Sequence, residues 1–198
     1  MLGRAPGRLG EYLGLTGTVM AGSDAIYAGF ADHYVRSAHL DELREALARR
    51  ADPTSPTELV LLFDETPEPS SLVDERDWID EVFSADTVGE VAQRLSDRAE
   101  PAASATAATL AELAPTGLAV TLDAVREARE GDLKTALEGE YRRVIWFGTH
   151  HPDLVEGIRA QLVDKDRAPK WQPPTIRELA PDATAAARTF VPEVALFD

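Results

Sequence analysis

The stretch DLVEGIRAQLVDKDRAPKW, running from Asp153 to Trp171, decides how the chain is read. Pro152 stands just before it and suits a helix start, because its missing N–H would have had no helical partner. Leu154, Ile158 and Leu162 recur at four-residue spacing, which predicts one apolar stripe on an amphipathic helix. The pattern then breaks into Asp164-Lys165-Asp166-Arg167, and Pro169 rules out further regular helix. Lys165, Arg167 and Lys170 thus gather within one short segment of a chain whose net charge is −15.

That net charge excludes the clustered cationic face needed for nucleic acid and argues equally against an anionic membrane surface. No window approaches the roughly 18 uninterrupted apolar residues of a membrane span, and Met1 to Met20 lacks the apolar run of a signal peptide. With no cysteine among 198 residues, disulfides, thiolate catalysis and cysteine-based zinc sites are excluded. The expected location is a reducing cytoplasm. The length suffices for one domain with its own core.

Helical spacing dominates the rest. Arg8 to Leu15 reads as a short helix stopped by Gly17. The glycines around it do not form a phosphate loop, since no strand precedes them and no Gly-Lys-Ser/Thr follows. Ser23-Asp24 can cap a helix ending near Gly29, and residues 31–35 are the one segment that reads as a short strand. Leu40, Leu43 and Leu47 stripe a helix that ends by a turn at Asp52–Pro56, and Leu59 to Phe63 fits a short helix or a strand equally. Trp78, Ile79 and Val82 resume helical spacing. Ser84 to Asp86 can cap the next helix, which carries Val88, Val91 and Leu95. Pro115 starts a helix that Gly131 stops, and Asp132 caps another running to Phe147. The reading is mainly α, with one domain over 1–171 and an extended, proline-rich tail over 172–198.

Catalytic motifs are scarce. G-x-S-x-G is absent. His150 and His151 diverge as neighbours and fit the end of a helix, where a cation favours the last carbonyls, better than a metal site. Asp74, Glu75, Asp77, Asp80 and Glu81 read as a solvated helix face. Lys165, Arg167 and Lys170 carry two readings. They can complement the helix dipole and pair with Asp164 and Asp166, or they can hold phosphates by charge-assisted bonds.

EGIRAQLVDKDRAPKW resembles the C-terminal signature of the 3-hydroxyisobutyryl-CoA hydrolases, a branch of the crotonase (enoyl-CoA hydratase/isomerase) superfamily. Residues 5–17, 24–35, 114–121 and 140–142 are similar to further landmarks of that family in the same order, so the resemblance spans nearly the whole chain. It implies the C-terminal helical portion of a crotonase-like α/β fold, acting on a short hydroxyacyl-CoA thioester in valine degradation. Coenzyme A is then part of the substrate and no separate cofactor is implied. The C-terminal helices of that superfamily border the acyl-CoA site, so the resemblance favours Lys165, Arg167 and Lys170 as ligands of the coenzyme A phosphates, with Trp171 either stacking on the adenine or simply packing. It places the oxyanion amides and the catalytic acids upstream of Met1, so no catalytic residue is expected here, and the isolated chain should pair with a missing N-terminal half or self-associate. Ala119 stands where the family often has lysine. The alternatives are an enoyl-CoA hydratase or isomerase of the same superfamily and a non-catalytic helical interaction module.

Overall fold

The computed structural model describes residues 1–49 and 56–197. Among them every regular element is helical. The chain divides into two compact units, Met1–Gly17 with Trp78–Asp198, and Thr18–Asp77. The tail beyond residue 171 belongs to the first unit.

The first unit begins with a 3-10 turn, Leu2–Arg4, and helix α1, Leu9–Thr16, which Gly17 ends in the left-handed region at φ 63°. Both pack on α8, Pro115–Glu130. Contact is close because glycines lie at it: a Cβ at Gly3 would collide with the Ala128 backbone of α8, and one at Gly10 with the Leu2 carbonyl of the 3-10 turn. Leu9, Tyr12 and Leu13 go inward, and Tyr12 meets Trp78 and Phe83 edge to face at 5.8 and 5.4 Å. Such pairs contribute about 0.5–1.5 kcal/mol beyond their buried area. Tyr12 is therefore part of the core.

Helix α5, Ser71–Phe83, ends here, and α6, Val88–Ser96, follows. The α6 cap is Thr87, not the expected Ser84–Asp86: its hydroxyl accepts from Glu90 N–H while Glu90 reaches back to Thr87 N–H, a reciprocal capping box. The alanine-rich segment is itself helix α7, Pro101–Glu112. Helix α9, Leu133–His150, starts on Asp132, which accepts from Thr135 N–H at 2.8 Å. The tail is not wholly extended. Its helix α11, Ala185–Thr189, buries Ala187 against Val120 and Trp146, a contact with no periodic signal in the sequence.

The polar centre of this unit is Glu11, a fully buried carboxylate on α1. Arg129 of α8 holds it at 2.6 Å and Arg8 at 2.9 Å. Arg129 also binds the Gly7 carbonyl, and Arg126 caps the end of α5 through the carbonyls of Phe83, Ala85 and Asp86. Burial alone would push the Glu11 carboxyl up, but the bonds from Arg129 and Arg8 outweigh it and hold it below its ordinary 4.5.

The second unit carries α2, Gly22–Tyr27, α3, Leu40–Arg49, and α4, Pro56–Leu61. Leu59 to Phe63 is thus largely helical, and Leu61 and Leu62 are exposed. Asp24, inside α2, accepts from Ala21 N–H at 2.9 Å and from Ser70 at 2.6 Å. Residues 31–35 form no strand. Tyr34 N–H goes to the Asp64 side chain and Tyr34 C=O accepts from Glu65 N–H, which is one backbone bond and no ladder. The turn expected at 52–56 lies, but for Pro56, outside the described residues. Among the described residues no single helix is long and apolar enough to cross a membrane.

Removing the Glu11 carboxylate takes the buried member of the cluster from Arg8 and Arg129; breaking a fully buried pair typically costs about 3–5 kcal/mol, and the partial exposure of both arginines reduces that here. Glu11→Ala should therefore cut thermal stability far more than Glu81→Ala at an exposed pair. Because the folded pKa is depressed, this contribution is complete above pH 4.5 and is lost as pH falls through the folded value. Thermal melts of both variants across pH 3–7 test this, and equal melting temperatures would disprove it.

Candidate functional site

The expected helix over the 153–171 stretch is shorter than its apolar spacing suggested. Helix α10 spans Asp153–Ile158, a π turn follows over Arg159–Val163, and the backbone then folds back on itself. Leu154, Ile158 and Leu162 are 43, 46 and 68% exposed. The apolar stripe is therefore largely exposed, with Leu154 lying near Gly148 of α9.

Arg159 closes the return. Its guanidinium grips Glu156 with two bonds of 2.8 Å, reaches Asp164 and Asp166 at 2.7 Å each, and touches the Ala168 carbonyl at 3.2 Å. Glu156 also accepts Lys170 N–H at 2.7 Å, and Arg167 N–H returns to the carbonyl of fully buried Ala160. Further along, Asp153 accepts Gln172 N–H at 2.9 Å, and Thr116 of α8 donates to the Gln172 carbonyl at 3.2 Å. The result is a hook, residues 164–172, tied down at several points.

Asp164 and Asp166 turn inward to Arg159, so the residues between and after them turn out. Lys165 and Arg167 sit in the left-handed region at φ 57° and 54°, unusual for residues that are neither glycine nor asparagine. Lys165, Arg167 and Lys170 are all exposed. Among the described residues none of the three makes an ion pair within 4 Å, since the carboxylates offered by the sequence are taken by Arg159. Trp171 donates its N–H to the Glu112 carbonyl at 2.9 Å and lays its ring edge against Gly157.

The electrostatics follow the contacts. The Arg159 fork, helped by Lys170 N–H, holds the Glu156 carboxyl down to about 2. Arg159, then Ala168 N–H, also lowers Asp166. Burial raises Asp153, one of whose oxygens makes no hydrogen bond and lies 3.7 Å from His151 Nδ1. The histidines are occupied elsewhere: His33 faces Asp64 at 3.0 Å, His39 lies 3.4 Å from Glu42, His150 stacks near Phe190, and His151 lies against Trp146. In the acidic group on α5, Asp80 accepts Arg8 N–H and Glu81 binds Arg98, so two of its five members are not simply solvated.

A second feature is a groove of about 820 Å³ between the first 3-10 turn, α8 and α9, lined chiefly by apolar side chains such as Leu2, Val120, Ala124, Leu137, Val144 and Phe147. Its buried Arg143 is engaged by Asp123 at 2.8 Å and by Glu127. Leu133, Leu137 and Val144 of α9 remain exposed along it.

The sequence named the three cations and Trp171 but not Arg159 or Glu156. The available signal was the Glu156–Arg159 spacing of three on a helix, followed by acids at 164 and 166, which is a pattern common enough to pass as a solvated face.

Comparison with known proteins gives the wider setting. The family model described as enoyl-CoA hydratase/isomerase matches residues 1–187. The chain is 36% identical over 191 residues to the Arabidopsis thaliana "3-hydroxyisobutyryl-CoA hydrolase-like protein 1, mitochondrial", covering 91% of this chain and 48% of that protein. It is 35% identical to the Arabidopsis "Small ribosomal subunit protein mS47", covering 91% and 47%. A solved carnitinyl-CoA dehydratase from Mycobacterium thermoresistibile superposes with a TM-score of 0.86 at 38% identity, over 97% of this chain and 54% of that one. The chain spans about half the length of the curated relatives it matches. Its fold is a mainly helical portion of a crotonase-like fold. The cytoplasmic location expected above is corrected by the first relative, which is named as mitochondrial; lack of cysteine cannot separate one reducing compartment from another.

The hook's carboxylates carry a pH test. Glu156 is depressed in the folded chain, so its contribution is complete above about pH 4.5 and fades from there as pH falls through about 2, and Asp166 is lowered in the same direction. A carbon-detected NMR titration should place Glu156 near 2. A midpoint at the ordinary glutamate value would show that the Arg159 fork does not hold in solution.

Proposed function

The chain belongs to the enoyl-CoA hydratase/isomerase family, and on that premise we propose that it supplies the coenzyme A subsite of a hydrolase of short hydroxyacyl-CoA thioesters, 3-hydroxyisobutyryl-CoA in valine breakdown. The observation that carries this reading is the state of Lys165, Arg167 and Lys170. Three exposed cations lie close in sequence, while Glu156, Asp164 and Asp166 are engaged by Arg159. A cation cluster without internal partners suits the phosphates of coenzyme A, and the exposed part of the Trp171 ring suits the adenine.

Hydrolysis of the thioester needs donors for the oxygen that becomes negative in the tetrahedral intermediate, the main source of barrier lowering in acyl transfer. It also needs an acidic pair to activate water and protonate the departing thiol. In this reading both come from the other half of a protein twice this length, and that half packs in the apolar groove between α8 and α9. A hydratase or dehydratase of the same superfamily is the second reading, favoured by the superposed dehydratase. A non-catalytic module is the third, for which the ribosomal relative is a precedent.

Calorimetric titration of the chain with coenzyme A and with pantetheine, which lacks the phosphates, tests the subsite. Coenzyme A should bind the wild type more tightly, and Arg167→Ala should weaken it by about ten- to a hundredfold, the range of a charge-assisted contact, without changing pantetheine. The difference should shrink as salt rises. Equal affinities for the two ligands would remove the assignment. The chain alone should release no thiol from 3-hydroxyisobutyryl-CoA above the buffer rate, and turnover by it would overturn the division of labour between halves.

The groove makes a separate prediction. An exposed apolar surface of this kind drives association, so the isolated chain should bind a hydrophobic dye and self-associate in light scattering. Val144→Glu, placed on the groove wall, should suppress both. A dye-silent monomer would show that the groove needs no cover.

A further inference from the structure

We propose that Arg159 is the positioning residue of the coenzyme A subsite: it touches no ligand but sets the direction in which Lys165, Arg167 and Lys170 point. This rests on the subsite reading above and adds to it a cause for the geometry.

Local sequence gives no reason for Lys165 and Arg167 to be left-handed. Residues with a Cβ avoid that region, and only glycine, asparagine and aspartate enter it readily. Two such residues separated by a single position need an outside constraint, and strained backbone of this kind persists where its surroundings over-determine it. The constraint here is a single planar group. Asp164, Asp166 and the Ala168 carbonyl all converge on Arg159. Drawing every second residue inward throws residues 165 and 167 outward. The third cation is registered through the same group, because Glu156, held by the Arg159 fork, fixes Lys170 N–H.

Every nitrogen of the Arg159 guanidinium is already bonded within the hook. It therefore has no donor direction reserved for a phosphate, which separates its role from that of the three exposed cations. Lysine cannot substitute, since a single ammonium lacks the planar fork that reaches four separate groups. Arg159 also does local electrostatic work. The stretch 153–171 holds Asp153, Glu156, Asp164 and Asp166 against Arg159, Lys165, Arg167 and Lys170. With three of those acids turned onto Arg159, an electrically balanced segment presents a cationic outer edge.

The experiment titrates the 198-residue chain with coenzyme A at several salt concentrations, comparing wild type, Arg159→Lys, Arg159→Ala and Lys165→Gly. Both Arg159 variants should lose at least about tenfold in affinity, the scale of one charge-assisted contact, and show a flatter salt dependence, with the lysine giving no rescue. Their melting temperatures should stay near wild type, because the hook lies outside the buried core. Lys165→Gly removes one cation and relieves one left-handed residue, so it should bind less tightly while melting higher. The inference alone is overturned if wild type binds coenzyme A in a phosphate-dependent way and Arg159→Lys matches its affinity and salt slope. If wild type does not distinguish coenzyme A from pantetheine, the subsite reading falls and the inference falls with it. Should Arg159→Ala fail to fold, Arg159→Lys and Lys165→Gly decide.

Discussion

The first unit depends on one buried charge. Glu11 has no exposure, and an unpaired carboxylate in that position would be prohibitively costly. Arg129 and Arg8 meet it directly, and Arg126 stands 4.0 Å away. Arg129 and Arg126 also donate to backbone carbonyls: Arg129 to Gly7, and Arg126 to Phe83 at the end of α5 and to Ala85 just beyond it. One carboxylate thus sets where α1, α8 and the end of α5 meet. Apolar burial supplies most of the stability at this junction, but it is indifferent to small rotations of the helices. Directional charge-assisted bonds fix the orientation.

The hook inverts the same chemistry. At α1 one acid gathers arginines in the interior; after α10 one arginine gathers acids at the surface. Depth decides the consequence. The Glu11 cluster is an anchor because water cannot replace a lost partner. The Arg159 cluster adds less to global stability, since exposed pairs are screened. What it supplies is shape, holding two left-handed residues and three cations in one arrangement. A preformed cluster of that kind loses less side-chain freedom when an anion arrives.

Much of the architecture was legible in the residues. Gly17 and Gly131 marked helix ends, Asp132 marked a start, and the helices carrying Val91 and Leu118 followed from spacing. The hook's cations were legible as well, since three positive residues interrupt an acidic chain. The errors share a cause. Residues 31–35 have strand composition, but a strand exists only when a neighbour completes its ladder, and here one backbone bond is made. Leu154, Ile158 and Leu162 have the spacing of a buried stripe, but spacing shows which residues share a face and not what lies opposite that face. Ala187 is buried with no pattern at all, because Trp146 offers it a surface.

The sequence by itself determined the helical class, the helix ends marked by Gly17 and Gly131, the absence of thiol chemistry and the resemblance to a family. These are local properties, carried by backbone preferences, capping side chains and residue order. Only the tertiary structure decided which charges meet. Asp164 and Asp166 lie nearest in sequence to Lys165 and Arg167, and pairing by proximity would have neutralised the cluster. The fold instead turns both acids onto Arg159, five and seven positions back, because a planar guanidinium donates through five fixed N–H groups and can hold several acceptors at once. That choice depends on the π turn bringing residue 159 beneath the hook, and the spacing of charges along the chain does not encode it.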